Sequence, residues 1–95
     1  MKVITICGSR RNKVLIEQIN RKLALEGNIV FAPTPIMEHC LLSNEQYNTL
    51  KEVHKNKISK SDAVFIINPN GHIGDDVMEE LEYAKAGNKE VMYLE

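Results

Sequence analysis

Cysteine is scarce in this 95-residue chain, which has two, Cys7 and Cys40. That is too few for a disulfide scaffold, and the pair lacks metal-ligand spacing. Neither sign of charge is in excess. A formal net charge of −1 argues against a general binder of nucleic-acid polymers, which carries a basic excess on one face. It is compatible with a single anionic small molecule, for which one loop with two arginines suffices. No run of about 18 apolar residues exists to span a membrane, and the N-terminus lacks the long apolar region of a signal peptide. Repeats, linkers and low-complexity stretches are also missing. The expectation is one domain over residues 1–95, in a reducing cytoplasm, with no membrane partner.

What is present is an alternation of apolar strands and amphipathic helices. Lys2 to Cys7 is short, β-branched and apolar, and stops at Gly8-Ser9, as a buried strand would. Its cysteine reads as a buried free thiol. From Arg11 the pattern turns helical, with Leu15, Ile19 and Leu23 four apart and Gly27 as the residue past the end. Asn28 to Ala32 is a second strand, halted by Pro33-Thr34-Pro35. Ile36 to Leu42 carries no clear period.

Ser43-Asn44-Glu45-Gln46 is a capping box that opens a helix. Tyr47, Leu50, His54 and Ile58 then fall on one face. Ala63 to Ile67 is a third strand, Asn68-Pro69-Asn70-Gly71 a turn, Asp75 to Ala86 a third helix, and Glu90 to Leu94 a last strand. Asp62 closes the turn into strand three. The order β-α-β-α-β-α-β implies right-handed crossovers and a parallel sheet of four or five strands, covered by helices on both faces. Ligands of such sheets bind beyond the carboxyl ends of the strands, at a topological switch point. That directs attention to the loops after strands one and three.

Gly8-Ser9-Arg10-Arg11 joins a strand to a helix, where glycine permits close backbone approach and free N–H groups favour an anion. Ser9 reads equally as a ligand donor and as a plain helix cap. In the second loop, Gly71 and Gly74 flank His72-Ile73 before the third helix, giving a flexible turn at a helix start. Asp75 and Asp76 suit the helix dipole but repel an anion there, so a phosphate belongs on the first loop.

Of the glutamates on this helix, Glu79 and Glu82 point to solvent. Glu80 lies about 60° from Val77, at the edge of the apolar face. A carboxylate there suits a nucleophile or a stabiliser of an oxocarbenium-like centre, or else a boundary residue paired with Lys85. His54, on the apolar face of its helix, is either a satisfied core residue or a group that orients or protonates a ligand.

These residues resemble those of the nucleoside 2-deoxyribosyltransferase-like family, a part of the Rossmann-like nucleotide-binding group. The likeness runs through Ile6 to Arg10, Leu25 to Val30, Pro33, and His54 to Ile58 with Ser61-Asp62. It is sharpest in Gly71-His72-Ile73-Gly74, Glu80-Leu81-Glu82-Tyr83-Ala84 and Val91 to Glu95. The resemblance implies a flavodoxin/Rossmann-like sheet and cleavage or 2-deoxyribosyl transfer at the N-glycosidic bond of a nucleoside or nucleoside monophosphate. It casts Glu80 as the nucleophile and Gly8, Ser9 and Arg10 as holders of the sugar or its phosphate, and beside them His54 is a candidate acid or orienting group. It also implies no metal or organic cofactor, and a homodimer or larger homo-oligomer whose sites neighbouring subunits complete.

Three departures accompany the likeness. His54 stands where the enzymes carry an aspartate. His72 replaces the tyrosine of a Gly-Tyr-Ile-Gly pattern, and Asp76 and Val77 replace hydroxyl residues. The chain is also shorter than the enzymes, so segments that serve a neighbour's site are expected to be missing. These differences keep open a second class, a non-catalytic nucleotide-binding or sensing module using the same cleft. A third likeness, to phosphoribohydrolases with a Pro-Gly-Gly-x-Gly-Thr-x-x-Glu pattern, is weakened at Pro69 to Glu80 by spacing and a missing threonine.

Overall fold

The computed structural model describes residues 1–37 and 41–95. Cys40 therefore lies outside the described residues, as does part of the Ile36 to Leu42 stretch. Four strands, β1 (Val3–Cys7), β2 (Ile29–Phe31), β3 (Ala63–Ile66) and β4 (Glu90–Tyr93), alternate with helices α1 (Lys13–Leu25), α2 (Asn44–Ser59) and α3 (Asp75–Ala86). The strands form one parallel sheet in the order β2-β1-β3-β4. The four-stranded, flavodoxin/Rossmann-like expectation is met.

Alternation along the central strands divides the core in two. Ile4 and Ile6 of β1, with Ala63 and Phe65 of β3, face Ile16, Ile19 and Leu23 of α1. Cys7, Val64 and Ile66 point the other way, against Ile58 of α2 and Val77, Leu81 and Ala84 of α3. A fully buried aliphatic side chain contributes about 1.5–3 kcal/mol, so both faces of β1 and β3 are strongly held in register. Thr5, on the same face as Cys7, is buried and shares a hydroxyl–hydroxyl hydrogen bond with Ser61, whose Oγ also bonds to the Lys57 carbonyl at 2.7 Å.

Helix ends follow local chemistry. Gly27 takes a φ of +93° just past α1, the left-handed backbone that glycine adopts without strain. The capping box of α2 is complete: the Ser43 N–H donates to Gln46 Oε1 at 2.9 Å, and the Gln46 N–H donates to Ser43 Oγ at 3.1 Å. After α3, Asn88 takes the left-handed conformation (φ 58°), one residue beyond Gly87. Asp62 does more than close a turn. Its carboxylate accepts from the Val3 N–H at 2.8 Å and its own N–H donates to the Val3 carbonyl at 2.7 Å, tying the start of β1 to that of β3.

Candidate functional site

The strand order changes direction at β1: its successor β2 lies on one side and β3 on the other. Beyond the carboxyl ends of these strands opens a cleft of about 640 Å³, within the range of small-ligand sites. Gly8 to Arg11 form one wall and Gly74 to Val77, with Glu80, another. Pro33, Thr34 and Ile36 after β2, and Tyr47, Leu50, Lys51 and His54 of α2, complete it.

The first loop enters the cleft through a tight turn rather than directly through α1. Arg10–Asn12 make a 3-10 turn capped by Ser9, whose Oγ accepts from the Arg11 N–H at 3.3 Å. Ser9 thus caps a helical turn and lines the cleft. Arg10 is drawn across the opening, its guanidinium 5.2 Å from the centre of the Tyr47 ring, a cation–π contact that joins the loop to α2. Gly8 is constrained by packing. A Cβ there would stand 3.0 Å from Ile67 Cβ and 3.3 Å from Ile16 Cδ1.

The segment after β3 divides in two. Gly74 lines the cleft and is the N-cap residue of α3, with Asp75 and Asp76 in the first turn. Gly71 is not among the cleft's lining residues. It ends the Pro69–Gly71 turn with a φ of +76°, so its glycine serves the backbone there. Asn68, buried in this segment, donates from Nδ2 to the Glu95 carbonyl at 3.0 Å and accepts from the Glu95 N–H at 2.9 Å. That pairing prolongs the contact between β3 and β4 and anchors the loop leading to α3.

Deep in the cleft, Glu80 and His54 meet. Helices α2 and α3 pack side by side on one sheet face, and His54 Nε2 comes within 3.2 Å of Glu80 Oε1. Glu80's partner is therefore His54, not Lys85. The approach lies within ion-pair range, yet its angles are not those of a hydrogen bond. Among the described residues, Glu80 Oε1 and both imidazole nitrogens are buried without a hydrogen-bonding partner. His54 is 8% exposed, while the Glu80 side chain keeps 25% of its surface open. Outside this contact, Lys55 Nζ lies 3.6 Å from Glu79 Oε1, and Ser59 Oγ is 2.7 Å from the Tyr83 hydroxyl. These pairs close the α2–α3 seam on its solvent side.

Cys7 lies beneath the pair. Donor atoms of Cys7, His54 and Glu80 all fall within 4.8 Å of one another. Burial foremost, then the nearby Glu80 charge, pushes the Cys7 thiol far above its ordinary range, so it is an inert nucleophile at neutral pH. Behind the cleft, Lys57 Nζ donates to the Ala32 carbonyl at 2.8 Å and holds the end of β2 against α2. Burial lowers its ammonium from the usual lysine value.

The structure thus brings Gly8, Ser9, Arg10, Gly74, His54 and Glu80 to one cleft and leaves Gly71 at its margin. Tyr47, Leu50 and Lys51 also line the cleft, though nothing in the sequence alone marks them as site residues. The nearest signal, for the first two, is the Tyr47-Leu50-His54-Ile58 face, which is cleft wall at its N-terminal half and core at Ile58.

No family model matches the sequence, and no curated protein matches it. Solved structures do share the fold. A 2-deoxyribosyltransferase of Bacillus psychrosaccharolyticus superposes with a TM-score of 0.73 at 21% identity, over 96% of this chain and 70% of that one. A CMP N-glycosidase of Clostridium botulinum gives 0.65 at 17% identity, over 97% of this chain and 67% of that one. A 2-deoxyribosyltransferase of Leishmania mexicana gives 0.72 at 16% identity, over 98% and 63%. The chain spans about two thirds of the length of these enzymes. The fold of this protein is accordingly the nucleoside 2-deoxyribosyltransferase-like one, with the cleft at its β1/β3 switch point.

Proposed function

We propose that the cleft takes a nucleoside or nucleoside monophosphate and that the protein cleaves its N-glycosidic bond or transfers its sugar, with Glu80 as nucleophile. The observation that carries this reading is Glu80 itself: a part-exposed carboxylate deep in the cleft, with buried His54 at 3.2 Å as its facing group.

In this mechanism a Glu80 carboxylate oxygen bonds to the anomeric carbon as the carbon–nitrogen bond breaks. The electron pair leaves with the base, which takes up a proton from His54 or from water. Water or a second base then displaces the glutamyl ester and restores the carboxylate. Ser9, Arg10 and the Gly8 backbone hold the sugar or its phosphate. Asp75 and Asp76, which line the opposite wall, steer a phosphate towards that loop by repulsion. Gly74, with no side chain, leaves room beside the sugar.

The test is free-base release from a panel of ribo- and deoxyribonucleosides and their 5′-monophosphates, with ligand-dependent thermal shift measured alongside. The wild-type protein should release base, and Glu80→Gln should lower the rate on the order of 10³-fold or more. Stabilisation by a nucleotide without base release would replace this reading with that of a binding module.

A further inference from the structure

We propose that Cys7, His54 and Glu80 form a binding site for a divalent d-block cation of the zinc type at the inner end of the cleft. Three elements converge to make it: the last residue of β1, the middle of α2 and the second turn of α3. Their donor atoms lie within 4.8 Å of one another. Tetrahedral zinc, with bonds of about 2.0–2.3 Å, sets its ligands roughly 3.3–3.7 Å apart. The His54–Glu80 approach of 3.2 Å is already near that edge, and the 4.8 Å limit on the other separations exceeds it by about 1 Å.

The second observation is the lack of any other partner. Among the described residues, both imidazole nitrogens and Glu80 Oε1 are buried without a hydrogen bond, and His54 is more than nine-tenths buried. A buried polar atom left unsatisfied costs about 1–3 kcal/mol, and native interiors rarely retain several together. One cation shared by thiolate, imidazole and carboxylate satisfies an atom of each side chain. Hard cations such as magnesium prefer all-oxygen sites, whereas this donor set is that of zinc. Because Glu80 and His54 line the cleft, the fourth coordination position faces it, as in open zinc sites. Binding displaces the thiol proton to solvent and changes no oxidation state.

The metal-bound form and the nucleophilic form of Glu80 are alternatives at one site. A carboxylate bound to zinc is not free to attack a sugar, so zinc occupancy and the nucleophilic role of Glu80 exclude each other.

The experiment uses the full chain stripped with chelator, in a Cys40→Ser background that leaves Cys7 as the sole thiol. Zinc affinity is read by competition with a chromophoric chelator, and cobalt(II) is added as a spectroscopic probe. The expected result is one equivalent of metal and a thiolate-to-cobalt charge-transfer absorption in the near ultraviolet. Cys7→Ser should abolish that absorption. His54→Gln, confirmed folded by circular dichroism, should weaken zinc by about 100-fold or more, at least the loss caused by removing a supporting partner. No charge-transfer absorption in the Cys40→Ser protein would overturn the proposal. So would zinc affinity that is unchanged in folded His54→Gln.

Discussion

At Gly8 an added methyl would meet Ile67 Cβ at 3.0 Å, Ile67 Cγ1 at 3.1 Å and Ile16 Cδ1 at 3.3 Å. These neighbours stand one residue past β3 and in α1, both packed in the core, and neither can recede freely. Overpacking of this kind costs about 1–3 kcal/mol. Gly8→Ala should therefore lower stability by that amount in denaturant titration even without any ligand; an unchanged midpoint would contradict the packing account. In the sequence, Gly8 is legible as a turn next to a helix start, and its neighbours Ser9 and Arg10 as cleft residues. The packing reason is not legible, because it depends on Ile67 and Ile16 arriving from separate elements. The same holds for Cys7. An apolar run ending in cysteine reads as core, and its neighbours His54 and Glu80 are brought to it only by the fold. Glu80 was separable from Glu79 and Glu82 by helical angle alone, since that geometry is local.

Among the elements, α2 carries most of the positioning. Its start is pinned by the reciprocal Ser43–Gln46 bonds, its middle presents Tyr47, Leu50 and His54 to the cleft, and its end is buried through Ile58. Loss of a capping hydroxyl costs about 1 kcal/mol. Ser43→Ala should destabilise the protein by roughly that amount, read as a lower urea midpoint at constant m-value; no change would mean that the cap is redundant. The capping box was legible because its four residues are contiguous. The division of the α2 face into core and cleft wall was not, since helical spacing reports which residues share a side and not what lies opposite. Pro33 and Thr34, legible only as the stop to the second strand, and Ile36, from a stretch with no clear period, also line the cleft.

For the whole molecule, alternating apolar strands and amphipathic helices were enough to imply a parallel sheet with helices on both faces. Burial on both sides leaves apolar runs in β1 and β3, and β2 and β4 at the sheet edges are only partly buried. A homodimer or larger homo-oligomer, in which a neighbouring subunit would complete the site, is proposed from the resemblance alone. Exposed apolar side chains, among them Val14, Leu25 and Met37, offer surface for it. Light scattering should return at least twice the monomer mass at micromolar protein, whereas a single-chain mass across that range would count against an oligomer.

The function proposed for the cleft turns on Glu80 performing chemistry on a glycosidic bond. Its most direct measurement is chromatographic detection of free base after incubating metal-free protein with nucleosides and nucleoside 5′-monophosphates, in parallel with Glu80→Gln. Base released by the wild type and reduced by on the order of 10³-fold in the variant is the predicted result. No release from any substrate, or equal release by the two proteins, would contradict it.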